Sequence, residues 1–501
     1  MGKRATEDAR VLSAGRRWSA LAVLVGAVLL LAIDGTVLYL AVPSLIRDLS
    51  PTATQILWIG DVYSLALAGL LVTMGTLADR IGRKRLLLIG TTAFGLASLA
   101  AAFSVSPGML IAARLLLGVA GATIMPSTLS IIRNMFTDAR QRTRAIAVWS
   151  AASGGGIALG PLVGGALLET FWWGSVFLIN VPIMVVLLVA GIILLPESRD
   201  PNPGRFDVLS AALSMAAIVP LVYMVKHTVG SGIDAVTLAC LAVGLAMGLL
   251  FVRRQRRLTS PLIDVDLFRN PAFSGAVLAN FFAIFALTGL LFFFSQYLQL
   301  ARGFSPLAAG LAEMPATLAS IVVVGLVGVA LARLGRGPAI AVGLGTTAVG
   351  LLLVTVAEGA EGYLWLGLAL VPVGLGVGLA MTLTTDAVVS AVPPRKAGSA
   401  SAISETAYEL GVALGIAVLG SVVTFAYRSF IAVPEGLPEN VRTNVEDSFA
   451  SALSVLEPGS DLAHAAQEAF ISAMQIASVA AAIITGIGAL VAWRTIPPTR
   501  D

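Results

Sequence analysis

Long apolar runs, separated by brief polar or proline-bearing breaks, recur along the whole chain. A helix needs about 20 apolar residues to cross a bilayer. Fourteen runs approach or exceed that length: roughly 18–41, 56–78, 86–103, 108–132, 145–168, 175–195, 207–226, 234–252, 273–299, 306–332, 338–357, 363–390, 398–428 and 467–493. Most breaks are short and punctuated by Pro, Gly or charge, as at Pro51, Pro107 and Pro196. The pattern predicts an all-α polytopic membrane protein with 14 transmembrane helices. The segment 429–466 is the one long break, made acidic by Glu435, Glu439, Glu446, Asp447, Glu457 and Asp461. It could attract cations, cap the outer mouth or be a tolerated surface hairpin.

Composition agrees with lipid as the solvent. The chain is 57% hydrophobic and 12% charged, against about 25% charged in soluble domains, and its mean hydropathy is +0.92. A soluble enzyme, a nucleic-acid-binding domain and a disordered scaffold are excluded. The basic start before the first run imitates a signal peptide, but the run is too long and lacks a cleavage site, so it reads as an uncleaved span. An even span count puts both termini on one side. With the N-terminus inside, the inner segments hold 26 Lys and Arg; the outer loops hold only Arg47, Lys226, Arg302, Arg428 and Arg442. This predicts cytoplasmic termini in a cytoplasmic membrane, and the excess of Arg over Lys hints at a GC-rich bacterial genome. No Gly-Lys-[Ser/Thr] P-loop, metal-ligand cluster or nucleophile triad occurs, which predicts no ATP-driven pump, no enzyme and no cofactor.

The segment Gly75–Lys84, between spans 2 and 3, resembles Gly328–Gly337 between spans 10 and 11, at an offset of 253, with Ala332 in place of Asp79. Gly156-Ile-Ala-Leu-Gly160 in span 5 matches Gly411-Val-Ala-Leu-Gly415 in span 13, at an offset of 255. The chain therefore divides into a six-helix bundle over 1–200, an inserted helix pair over 201–260 and a second six-helix bundle over 261–501. Parallel six-helix repeats place a transport site at their interface near mid-membrane.

Ionisable groups inside spans are costly and functional by default. Asp34 lies about 24 Å into the first span, in its outer half. Asp61 and Glu313 fall one position from coincidence under the repeat offset. Glu405 and Glu409 share one face of span 13. Arg114 is the single embedded Arg, and basic partners are few. Protons and a cation can compete for such carboxylates. Asp34 is the expected main proton-coupling group, with Arg114 modulating a nearby acid and Asp61 grouped with them. Glu313, Glu405 and Glu409 are expected to contact cationic substrate. The aromatic span 9, including Phe285 and Tyr297, could stack on flat cations. Asp207, Asp234 and Asp386 read as caps or boundary charges. Both histidines fall in outer loops, which argues against a histidine relay. Asp79, Arg80 and Arg83 could form a latch closing the inner mouth. Gly156, Gly160 and Gly164 strip one helix face for close packing, and Pro161 can bend it.

These motifs carry a resemblance to the major facilitator superfamily. Residues 75–84 resemble its loop signature, Arg114 to Gly121 its fourth-helix signature, and Gly156 to Gly165 the fifth-helix signature typical of antiporters. Leu31 to Pro43 and Trp58 to Tyr63 resemble the 14-helix drug:proton antiporter branch, with its QacA-like and LfrA-like multidrug pumps. The resemblance implies two six-helix bundles plus two inserted helices, and a monomer exchanging protons for lipophilic cations such as quaternary ammonium compounds and ethidium, with fluoroquinolones as further candidates. A proton-driven exporter of one endogenous metabolite or lipid, and a non-transporting scaffold or receptor, are the alternatives; buried acids count against the last.

Overall fold

The computed structural model describes residues 13–199, 207–259, 261–393, 397–457 and 459–498. Basic residues at 3, 4, 10, 205, 395, 396 and 500 lie outside them. Fourteen described helices are long and apolar enough to cross a membrane, and no strand occurs among the described residues. The first half contains α1 (Ala14–Leu49), α2 (Ala53–Ile81), α3 (Arg83–Ala102), α4 (Pro107–Met135), α5 (Ala139–Thr170) and α6 (Ser175–Leu194). The inserted pair is α7 (Val208–Ser231) and α8 (Ala235–Gln255). The second half contains α9 (Pro271–Ala301), α10 (Pro306–Leu334), α11 (Arg336–Glu358), α12 (Leu364–Ser390), α13 (Ala397–Phe430) and α14 (Asp461–Thr495).

Local chemistry sets the helix starts. Thr52 and Gln55 form a capping box on α2, and Ser106, Asp138, Asp207, Asp234 and Asn270 accept first-turn N–H groups. Burial pushes the Asp207 carboxyl up, but hydrogen bonds from Arg254 and Ser210 outweigh it and hold it below the usual range. Gly82 and Gly335 turn corresponding corners at φ of 111° and 81°, a region that glycine enters without a Cβ clash. The repeated loop thus shares backbone conformation as well as sequence.

Helix pairing repeats too. In the first half α1 packs on α5, α2 on α4, α3 on α4, and α6 on α1 and α3. In the second half α9 packs on α13, α10 on α12, α11 on α12, and α14 on α9 and α11. The α1–α5 contact seats Gly156 against the Leu29 carbonyl and Gly164 against that of Val37; Gly411 and Gly415 meet the Phe281 and Phe285 carbonyls in the same way. The inserted helices pair with each other, and α7 alone of the two packs closely on α2 and α13.

The halves meet along two seams, α2 with α13 and α5 with the start of α10. At the second, Gly165 lies against Pro306 and Leu307, and Gly310 against the Pro161 carbonyl. Toward the other end these helices part. Gly154 and Gly155 of α5 and Gly325 and Gly328 of α10 face open space, and Val327–Leu334 buries no residue. That open end carries Asp79–Arg85 and the Arg253–Arg257 cluster; we call it the basic end. A Cβ on Gly165 would sit 2.8 Å from the Leu307 Cα and the Pro306 oxygen, so closure depends on this glycine. Gly165→Val is expected to keep its melting temperature within a few degrees yet cut transport at least about tenfold, since overpacking by about 1–3 kcal/mol falls on one conformer. An equal loss of both in a melting and flux comparison would refute the seam assignment.

Within the long break at 429–466, the described residues between α13 and α14 form a folded lid over the closed end. Its helices span Glu439–Asp447 and Phe449–Val455. Val445, Phe449 and Ala452 are buried in a core that second-half helices share with α1 and α2, and Phe449 stacks on Phe470 at 5.0 Å. Asp447 pairs with Arg428 at 3.1 Å and accepts the Ala53 N–H of α2 at 2.9 Å. The lid thus belongs to one half and is fastened to the other.

Candidate functional site

Asp34 sits near the middle of the 36-residue α1, just beyond its midpoint, because α1 starts earlier than its apolar run. It is fully buried. Its carboxylate meets the Arg114 Nη1 at 3.3 Å and accepts the Asn180 amide at 2.6 Å. Asn180, which opens the second part of the broken α6, also donates to Ser98 at 3.2 Å. Arg114 donates to the Ile59 carbonyl at 3.2 Å, with its guanidinium 4.7 Å from the Tyr63 ring centroid. Five helices of the first half thus converge on one ion pair.

Asp61 does not join that pair. Its carboxylate holds Lys226 of α7, with Nζ 2.8 and 2.7 Å from the two oxygens. This corrects two expectations. Lys226 is not an outer-loop charge, since its side chain is 1% exposed inside α7. Nor are Asp34 and Asp61 without basic partners, since Arg114 and Lys226 pair with them. His227 is likewise helical: it bonds to Asp234 at 2.9 Å, and that bond with the Thr237 N–H holds Asp234 down to about 2. His464 lies in the first turn of α14.

The second half differs. Glu313, at a break in α10 between Ala312 and Met314, is 4% exposed, and its Oε1 has no partner. Glu409 is 6% exposed and neighbours Ser64 of α2. Glu405 is half-buried one turn away. No basic side chain pairs with any of the three among the described residues. Glu313 and Glu409 both lie within electrostatic reach of Tyr39 on α1, and Glu409 within that of Tyr63.

Tyr297 is not part of this cluster. It is fully buried, donating to the Glu358 carbonyl at 2.7 Å and accepting from Arg302. Phe285 is 6% exposed and packs against Phe281 within the second half. The aromatic that crosses the seam is Phe292, edge-on to Tyr39 at 5.5 Å and pressed on Gly60. Glu358, just beyond the predicted span 338–357, is buried against Ser478 at 3.1 Å. At the basic end Asp79 and Arg83 pair at 2.7 Å within the α2–α3 corner, while Arg80 is exposed. With Ala332 replacing the acid, Arg336 instead pairs with Asp386 at 3.0 Å. Gly156, Gly160 and Gly164 contact α1 inside the first half, and the Pro161 carbonyl meets the seam.

Two bundles of like pairing, an inserted helix pair and charged groups buried at their junction describe a transporter. The sequence matches the family model described as Major Facilitator Superfamily over residues 24–416. The chain belongs to the major facilitator superfamily. Among superfamily members it is 47% identical over 474 residues to the multidrug efflux pump LfrA of Mycolicibacterium smegmatis, covering 94% of each chain. It is 36% identical to the methyl viologen resistance protein SmvA of Salmonella typhimurium, covering 92% of this chain and 94% of that one. The multidrug resistance protein Stp of Mycobacterium tuberculosis is 30% identical, with 93% and 89% covered. In fold, the chain is similar to a bacterial homolog of the human lysosomal transporter Spinster solved in an inward-facing, unoccupied conformation. That likeness has a TM-score of 0.68, 17% identity, and 97% and 98% coverage. The protein is a multi-pass membrane transporter, not an enzyme.

Proposed function

We propose that this transporter exports lipophilic organic cations from a bacterial cell in exchange for protons, working as a monomer without a cofactor. Its basic end faces the cytoplasm, so the structure is the inward-open state. One observation carries the reading: Glu313 and Glu409 are buried and Glu405 half-buried with no base paired to them among the described residues, while Asp34 and Asp61 are matched by Arg114 and Lys226. A buried carboxylate lacking a base reaches neutrality by taking a proton or a cation. One negative charge cannot satisfy both, and alternating access turns that competition into exchange. A proton on Asp34 removes the attraction that ties α1 to α4 through Arg114, which biases the helix packing around the site. The naming of relatives as multidrug efflux and resistance proteins supports drug-like cargo.

Everted membrane vesicles test this directly. Ethidium is expected to accumulate when an acid-inside gradient is imposed, and to stop accumulating when nigericin collapses it. Accumulation at an unchanged rate without a gradient would refute proton exchange.

A further inference from the structure

Trp58 and Asp61 stand three residues apart on α2, on one helix face. The Lys226 ammonium lies between the two Asp61 oxygens and 3.5 Å from the Trp58 ring centroid. A carboxylate beside an indole face is the chemistry that recognises free organic ammonium ions. Here the ammonium is tethered, and it comes from the inserted pair rather than from either six-helix half. A buried ion pair adds little stability over an apolar side chain of similar volume, so simple packing does not account for a lysine in this place. The location is not neutral either. Gly60, the neighbour of Asp61, presses on Phe292 and Ile416 of the second half. Val222, one turn before Lys226, packs with Leu65 of α2 and with Ala413 and Ala417 of α13. The other cation acting on Asp61 is Arg114, which is committed to Asp34. His227 and Asp234 close on each other beyond it.

We propose that Trp58 and Asp61 form a primary-ammonium site at the α2–α13 seam, with Lys226 as its tethered occupant holding α7 over the seam while the lid end is closed. When α2 leaves α13, the ammonium keeps α7 with α2, and the apolar contact to Ala413 and Ala417 breaks instead. The inserted pair thereby moves with the first half.

Chemical complementation tests the site in the purified full chain. Lys226→Ala vacates space for one n-butylammonium ion. At about 10 mM, n-butylammonium is expected to raise the melting temperature of K226A by about 2 °C or more. Wild type and the K226A/D61N pair should not respond, and n-butanol should not substitute. Equal rescue by n-butanol, or no melting shift in folded K226A, would overturn the site. Lys226→Met, which keeps the stem's volume without its charge, decides the matter should K226A fail to fold. Flux at least tenfold down in folded K226M supports the ammonium role, and wild-type flux removes it. The melting shift requires no transport, so its absence counts against this site alone. Absence of gradient-driven ethidium movement in wild type counts against the exchange reading alone.

Discussion

Asp34→Asn is expected to lower gradient-driven ethidium flux by about 100-fold, near the upper end of the 5–150-fold range that site-to-site coupling of about 1–3 kcal/mol produces. Asparagine matches the carboxylate in shape and can still accept the Asn180 amide, so the helix crossing persists. It can neither carry a proton nor balance Arg114. That guanidinium keeps the Ile59 carbonyl and the Tyr63 face, while losing its charge partner destabilises the fold by up to about 3–5 kcal/mol. Flux per folded molecule, normalised by a melting curve, separates the two effects. A mutant that still responds to the gradient at more than half the wild-type rate would show that Asp34 is not the coupling group.

Glu409→Gln is expected to raise the half-saturating ethidium concentration by about 10–100-fold, since a charge-assisted contact contributes about 1.5–3 kcal/mol. Maximal flux should change less. Glu405→Gln should act more weakly, because Glu405 is half-buried and partly screened by water. The two residues are one turn apart, so their effects should not add. Unchanged ethidium affinity in both single mutants and in the double mutant would leave these residues without a role in binding cations.

The span count was legible in the sequence because hydropathy over twenty residues depends on no partner. The bundle repeat was legible because Gly82 and Gly335, and Gly156 and Gly411, need the absence of a side chain at matching places. Charge partners were not. Asp61 and Lys226 lie 165 residues apart and Asp34 and Arg114 80 apart, so only tertiary packing joins them. Lys226 ended an apolar run and so read as the water boundary, although a lysine stem can stay in the apolar layer when its head finds a carboxylate. Glu358 was lost the same way, one residue past a predicted end. Asn180 had a usable signal, a lone amide inside the apolar run 175–195, but without a charge it drew no notice.

Helix α7 lies along the outside of only one of the two seams. The α2–α13 side is walled by an extra helix, while α5 and α10 diverge toward the basic end with Leu318, Ile321, Val322 and Val329 more than half exposed or at half exposure. The helix assembly is therefore lopsided toward lipid. On the proposed export of lipophilic cations, cargo dissolved in the leaflet beside the basic end would meet no inserted helix on the α5–α10 flank, whereas α7 stands in its way on the α2–α13 flank.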